Sequence, residues 1–148
     1  MAFPLDEVYI SSSPGETMFA GEQIGHLLKP GDIVGLQGEL GAGKTVFVRG
    51  VARSLGVKET PKSPTYTIIS EYDASVMSFY HMDAYRLSGD DDFRLAGGED
   101  LLYGSGVCLI EWAEKITLPS SAFFITIEIV EGEKRRICCK APPNRFRT

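Results

Sequence analysis

The run Gly38-Glu39-Leu40-Gly41-Ala42-Gly43-Lys44-Thr45 matches the spacing G-x-x-x-x-G-K-[ST] in full. Residues of these types at this spacing can grip phosphate. Glycines let consecutive backbone N–H groups curl around phosphate oxygens without Cβ clashes. A helix starting near Gly43 points the positive end of its dipole at the same anions. Lys44 adds a point charge for the β and γ phosphates, and Thr45 offers a hydroxyl to Mg²⁺.

A phosphate-bound Mg²⁺ needs a carboxylate nearby, usually at the end of an adjacent buried strand. Val107-Cys108-Leu109-Ile110-Glu111 is an apolar run that ends in an acid. A carboxylate there is costly unless something cationic meets it. Glu111 is therefore expected on the metal side, or as the group that positions the attacking water; the plainer alternative is a side chain that emerges into solvent. Asp83, in His81-Met82-Asp83-Ala84-Tyr85-Arg86, is the second candidate acid. His81 and Asp83 fall on one face of a strand and Met82 on the other. His81 is expected to be structural; Arg86 could neutralise transition-state charge but is expected rather to pair with Asp83. Ser63-Pro64-Thr65-Tyr66-Thr67 reads either as a switch-like loop that senses the γ-phosphate or as a plain connection. Trp112 reads as core or as an interface anchor. Arg135 or Arg136 on the last hairpin reads either as flanking the nucleotide or as solvated at the surface, the second being the expectation.

These side chains need a scaffold. Ser13-Pro14-Gly15-Glu16 is a helix start, with Ser13 as the cap and Glu16 closing a capping box. Met18, Gly21, Ile24 and Leu28 follow near helical spacing, and Pro30-Gly31-Asp32 ends that segment. Ile33–Gln37 is a short apolar strand that leads into the phosphate loop. Val48, Val51, Ala52 and Leu55 share one face of the helix that leaves it, with Gly56 as the stop. Residues 65–72 and 76–82 form a strand pair. Residues 89–103 are acidic short helices, and Val107–Ile110 is a buried parallel strand. Residues 122–130 and 134–141 make a hairpin across Glu131-Gly132-Glu133. The order helix, strand, helix, two strands, short helices, strand, hairpin predicts an α/β sandwich of the P-loop NTPase kind. Its sheet is mixed and partly parallel, with a C-terminal hairpin. The 148 residues fit one such domain, with 142–148 as a frayed tail.

Composition narrows the function. At 43% hydrophobic and 24% charged the chain is neither disordered nor a coiled coil. No apolar run reaches the ~18 residues of a membrane span. The start shows no basic segment before an apolar core, so neither a signal peptide nor a membrane role is expected. Cys108, Cys138 and Cys139 lack metal-ligand spacing and read as reduced thiols of a cytoplasmic protein. A net charge of -5 repels phosphate backbones, so any nucleic-acid role is expected to run through a partner.

The phosphate loop, Lys62-Ser63-Pro64-Thr65-Tyr66-Thr67, His81-Met82-Asp83-Ala84-Tyr85-Arg86-Leu87 and Leu109-Ile110-Glu111-Trp112 occur in this order. Together they make the chain resemble the TsaE (YjeE) family of small bacterial P-loop ATPases over nearly its whole length. The resemblance implies a part in making threonylcarbamoyladenosine on tRNA, beside the anticodon. It implies ATP and Mg²⁺ as ligands and slow hydrolysis by the chain alone. It also implies action with the TsaB and TsaD proteins, with tRNA met only through that complex. Carried over by motif, residues 38–46 bind the nucleotide, with Lys44 on phosphate. Thr45 and Glu111 meet Mg²⁺, Asp83 serves hydrolysis, and Trp112 lies near the nucleotide. Val46 departs from a frequent threonine. It removes one possible side-chain bond to the α-phosphate, worth about 1 kcal/mol, and keeps its backbone N–H. Ala113 replaces a frequent proline, and Ala84 a larger apolar residue.

A small-molecule kinase is the competing reading of the same loop. It would want an arginine-bearing lid, and residues 89–100 hold only Arg94 among four aspartates and one glutamate. A GTPase would want an Asn-Lys-x-Asp run, which the chain lacks. A non-catalytic assembly protein would leave Lys44, Asp83 and Glu111 without a reason to coexist.

Overall fold

The computed structural model describes residues 5–39, 41–59, 69–75 and 77–143. Among them, seven strands form one mixed sheet: β1 (Val8–Ser11), β2 (Ile33–Gln37), β3 (Ile69–Asp73), β4 (Ser78–Asp83), β5 (Val107–Glu111), β6 (Phe123–Glu131) and β7 (Lys134–Lys140), in the order β1-β7-β6-β2-β5-β4-β3. The centre is parallel: β2 pairs with both β5 and β6, and β4 with β5. The β3–β4, β6–β7 and β1–β7 pairs are antiparallel. All of β5 is buried, as a strand covered on both faces must be.

Helices α1 (Pro14–Gly25) and α2 (Lys44–Ser54) cover one face. Their side of the core joins Ala20, Ile24, Phe47, Val48 and Val51 to Val34, Leu36 and Ile125 from the sheet. Two short helices, α3 (Asp90–Leu95) and α4 (Gly98–Leu102), cover the β2–β5–β4 part of the other face through Phe93 and Leu102, which cluster with Met82 and Ile110. This is the expected α/β sandwich. No helix among the described residues is long and apolar enough to cross a membrane.

The predicted cap of α1 is present: the Glu16 N–H donates to Ser13 Oγ at 3.2 Å. The returning bond comes from the Ser12 N–H to Glu16 Oε1, not from Ser13 itself. The buried stripe of α1 runs through Thr17, Ala20, Gly21 and Ile24 rather than Met18. A Cβ on Gly21 would collide with the Phe47 carbonyl, and one on Gly50 with the Met18 carbonyl. The two helix backbones therefore touch, which anchors α2 and the loop feeding it.

The expected order of elements missed β1. Val8 and Ile10 face solvent while Ser11 is buried, so its apolar pattern is inverted. Its partner is β7 at the far end of the chain, in the register Val8↔Cys138 and Ile10↔Arg136. Local patterning cannot reveal an edge strand whose stabilisation comes from a distant ladder.

Candidate functional site

Three parallel strands end side by side. Leu36 of β2 lies opposite Glu111 of β5, and Glu111 opposite Asp83 of β4. The phosphate-loop motif leaves β2 at this level, at the carboxyl edge where open α/β sheets bind ligands. Gly41 and Gly43 adopt φ of 81° and 97°, the left-handed region where a side chain is strained. Gly38 is required for another reason. A Cβ there would lie 2.7 Å from the Ile127 carbonyl oxygen of β6. The loop is thus wrapped tightly over the sheet edge, and α2 begins at Lys44 with Gly43 as its cap.

Lys44 is buried, at 6% exposure. Its Nζ donates to the Gly38 carbonyl at 2.6 Å and lies 4.0 Å from the centre of the Trp112 ring. Burial lowers its pKa, against the opposing pull of Glu111, Asp83 and Glu114. Trp112 itself has φ of 58°, which is uncommon for a bulky residue. Its ring also packs on Tyr85, with centroids 4.8 Å apart.

Trp112 divides two cavities. One, of about 400 Å³, is lined by Gly41, Gly43, Lys44, Thr45, Val46, Asp83 and Glu111. The other, of about 470 Å³, lies toward β6 and is lined by Gln37, Gly38, Glu39, Glu114 and residues 126–129. The first gathers the hydroxyl, the ammonium and both carboxylates, so it is the candidate site although it is the smaller. The predicted residues divide accordingly. Gly41, Gly43, Lys44, Thr45, Val46, Asp83 and Glu111 meet around one space, while Gly38 and Glu39 face the other. The Ala42 side chain is buried in the core. Leu40 and the Ser63-Pro64-Thr65 loop lie outside the described residues.

Glu111 does not emerge into solvent; it is 4% exposed. Its Oε2 lies 2.5 Å from His81 Nε2, and His81 is 1% exposed. A hydrogen-bond partner for this buried acid is therefore present within the protein, and it is an imidazole rather than the cation expected. Asp83 is half-buried. Burial raises its carboxyl pKa; the Tyr85 N–H bonded to Oδ1 opposes this, Glu111 adds to it, and His81 and Lys44 oppose it. The expected Arg86–Asp83 pair does not form. Arg86 is exposed, and the Tyr85 amide takes Asp83 Oδ1 because it is tethered two residues away at no cost in side-chain freedom.

A second correction concerns Arg135. It is not simply solvated. Its Nε donates to the Ala42 carbonyl at 3.0 Å and its Nη2 to the Gly41 carbonyl at 3.1 Å, while Nη1 donates to the Gly132 carbonyl at 2.6 Å. One guanidinium thus ties the hairpin to the phosphate loop. The signal in the sequence was an arginine three residues past the hairpin glycine, which carries no meaning until the hairpin is folded against the loop.

The donor set fits a magnesium-bound polyphosphate. Among the described residues no group of three or more His, Cys, Asp or Glu could enclose a metal. Mg²⁺ rarely wants such a cage; it keeps waters and takes one or two protein oxygens plus phosphate. The buried Lys44 ammonium donates to a neutral carbonyl and carries further hydrogens that an anion can accept.

Comparison with known proteins identifies the family. The family model for the threonylcarbamoyl adenosine biosynthesis protein TsaE matches residues 11–137. The chain is 40% identical over 136 residues to the tRNA threonylcarbamoyladenosine biosynthesis protein TsaE of Bacillus subtilis, covering 90% of this chain and 85% of that one. It is 41% identical over 130 residues to the TsaE protein of Treponema pallidum, covering 86% and 96%. The crystal structure of Bacillus subtilis YdiB superposes with a TM-score of 0.77 at 35% identity, over 95% of this chain and 88% of that one. A match over most of the length, in sequence and in fold, establishes that this chain belongs to the TsaE family.

Proposed function

We propose that this chain is a magnesium-dependent ATP-binding and ATP-hydrolysing subunit of the machinery that makes threonylcarbamoyladenosine on tRNA, acting on a TsaB–TsaD complex. The observation that carries the reading is the convergence of Lys44, Thr45, Asp83 and Glu111 on one cavity at the ends of three parallel strands. The relatives' names supply the pathway, and the family resemblance supplies the partners.

In this reading the amides of the phosphate loop cradle the β-phosphate, and Lys44 exchanges the Gly38 carbonyl for phosphate oxygens. Thr45 and Glu111 would hold Mg²⁺, which when bound neutralises charge on the β- and γ-phosphates. Asp83, whose carboxylate is made more basic by burial, orients the attacking water and accepts its proton. Trp112 keeps bulk water from one wall. With a net charge of -5, the chain meets tRNA only through its partners. A kinase lid is poorly supported: Arg94 is engaged by Asp91 at 3.0 Å and Glu99 at 2.8 Å.

The test is ATP turnover with and without the TsaB–TsaD complex. Turnover that rises when the complex is added supports a driving subunit. Indifference to the complex, with a phosphorylated small molecule accumulating as ATP is consumed, supports the kinase instead.

A further inference from the structure

Lys44 and Glu111 carry opposite charges and line the same cavity, yet no ion pair joins them. Each is held by a different group. Lys44 lies on the Gly38 carbonyl and the Trp112 face, and Glu111 Oε2 is held by His81. The register explains how His81 reaches. His81 sits opposite Leu109 and Asp83 opposite Glu111, so His81 and Glu111 are diagonal neighbours on the face that bears α2.

We propose that His81 is a positioning residue: its Nε2–H holds Glu111 Oε2, so that Oε1 is presented to the cavity and the carboxylate is kept off Lys44. The proposal rests on the ATPase reading and deepens it. The direction of the bond follows from burial. A carboxylate only accepts, and His81 Nδ1 is buried without a partner among the described residues. A hydrogen on Nδ1 would be an orphaned donor in the core, so the ring hydrogen belongs on Nε2. A ring buried on all sides has little freedom, which makes it a stiffer tether than a water or an exposed side chain. Were it absent, the three-torsion Glu111 side chain could swing to the ammonium, and the space for metal and phosphate would be closed by an internal pair.

Two experiments decide it. The first reads the nucleotide-free wild-type protein by long-range ¹H–¹⁵N correlation of the imidazoles. The chain has two histidines, and the other, His26, is exposed, so the signals separate. The expected pattern for His81 is a hydrogen on Nε2; a lone hydrogen on Nδ1 overturns the proposal. This outcome stands whether or not the protein hydrolyses ATP, so it separates failure here from failure of the function above. The second compares His81→Leu with His81→Gln, whose amide can donate from nearly the Nε2 position. His81→Leu should lower kcat by about 10–100-fold, with KM for magnesium-ATP moved by less than about threefold, and His81→Gln should recover at least about tenfold of the loss. Wild-type kcat in a folded His81→Leu protein, or equal defects in two variants that melt like the wild type, would overturn it. If neither variant folds, the tautomer measurement decides alone.

Discussion

The Lys44 ammonium lies against the face of Trp112, 4.0 Å from the ring centre, while donating to the Gly38 carbonyl. A residue in the left-handed region thus covers the cation proposed to bind phosphate. Trp112 is the chain's one tryptophan. Magnesium-ATP that draws Lys44 onto phosphate must change the charge beside this indole. Titration should therefore give a saturable change in intrinsic fluorescence with the same midpoint as calorimetric binding. Flat emission across a titration that calorimetry shows to be complete would mean that the contact persists in the complex.

Lys44 and Glu111 should fail differently. Removing the ammonium in Lys44→Ala deletes charge-assisted bonds to phosphate worth up to about 3 kcal/mol, so affinity should fall on the order of 100-fold. Glu111→Ala should lower kcat far more than it weakens binding, because Lys44 and the backbone amides remain. Parallel calorimetry and steady-state kinetics on the two variants check the split.

Arg135 should matter through the loop it braces. Arg135→Ala loses two bonds to the Gly41 and Ala42 carbonyls. The side chain is half-exposed, so the cost in stability should be only about 1 kcal/mol. Nucleotide affinity should drop several-fold, and Arg135→Lys should not restore it, because a lysine lacks the rigid planar fork that sets Nε and Nη2 on the two carbonyls. Melting curves with and without nucleotide measure both effects.

Asp83 sets a pH dependence of stability. Its folded-state pKa is raised above the ordinary 3.8, chiefly by burial, so the native protein holds this proton more tightly than the unfolded chain. The carboxylate therefore penalises folding fully above its folded-state pKa, and the penalty fades as pH falls through that value toward 3.8. Asp83→Asn, which keeps the acceptor for the Tyr85 amide, should be more stable than wild type at pH 7, with the advantage disappearing in acid. Denaturant titrations at neutral and acidic pH read the difference; an advantage independent of pH would exclude ionisation as its cause.

The cysteines should differ in reactivity. Burial pushes the thiols of Cys108 and Cys139 up to about 12, while Cys138 is only half-buried. A thiol reagent at pH 8 should modify Cys138 first and the other two only on unfolding. Because the raised values favour the neutral form in the fold, these two groups leave stability untouched below pH 9 and erode it as pH rises from 9 toward 12. Mass spectrometry of timed labelling checks the order.

Much of the scaffold was legible because its signals are local. The Ser13 cap, the apolar β2 and β5 runs, the glycine stop at Gly56 and the hairpin across Gly132 each depend on a few neighbouring residues. β1 was not legible, since its apolar side chains face outward and its ladder partner is β7. The fate of Glu111 was half legible. An acid at the end of a buried strand demands a partner, but whether that partner is a metal, a cation or an imidazole depends on which strand lies alongside and in what register.

By itself, the order of residue types determined that a strand, a glycine-rich turn and a helix would follow one another with one lysine at the helix start, since that geometry is written within a short run of consecutive positions. Only the tertiary structure decided that His81 holds Glu111, that Trp112 shields Lys44 and that Arg135 ties down the loop. These pairs come from different strands and turns, and their few ångströms of separation are set by sheet order and side-chain packing, to which no local pattern in the chain is sensitive.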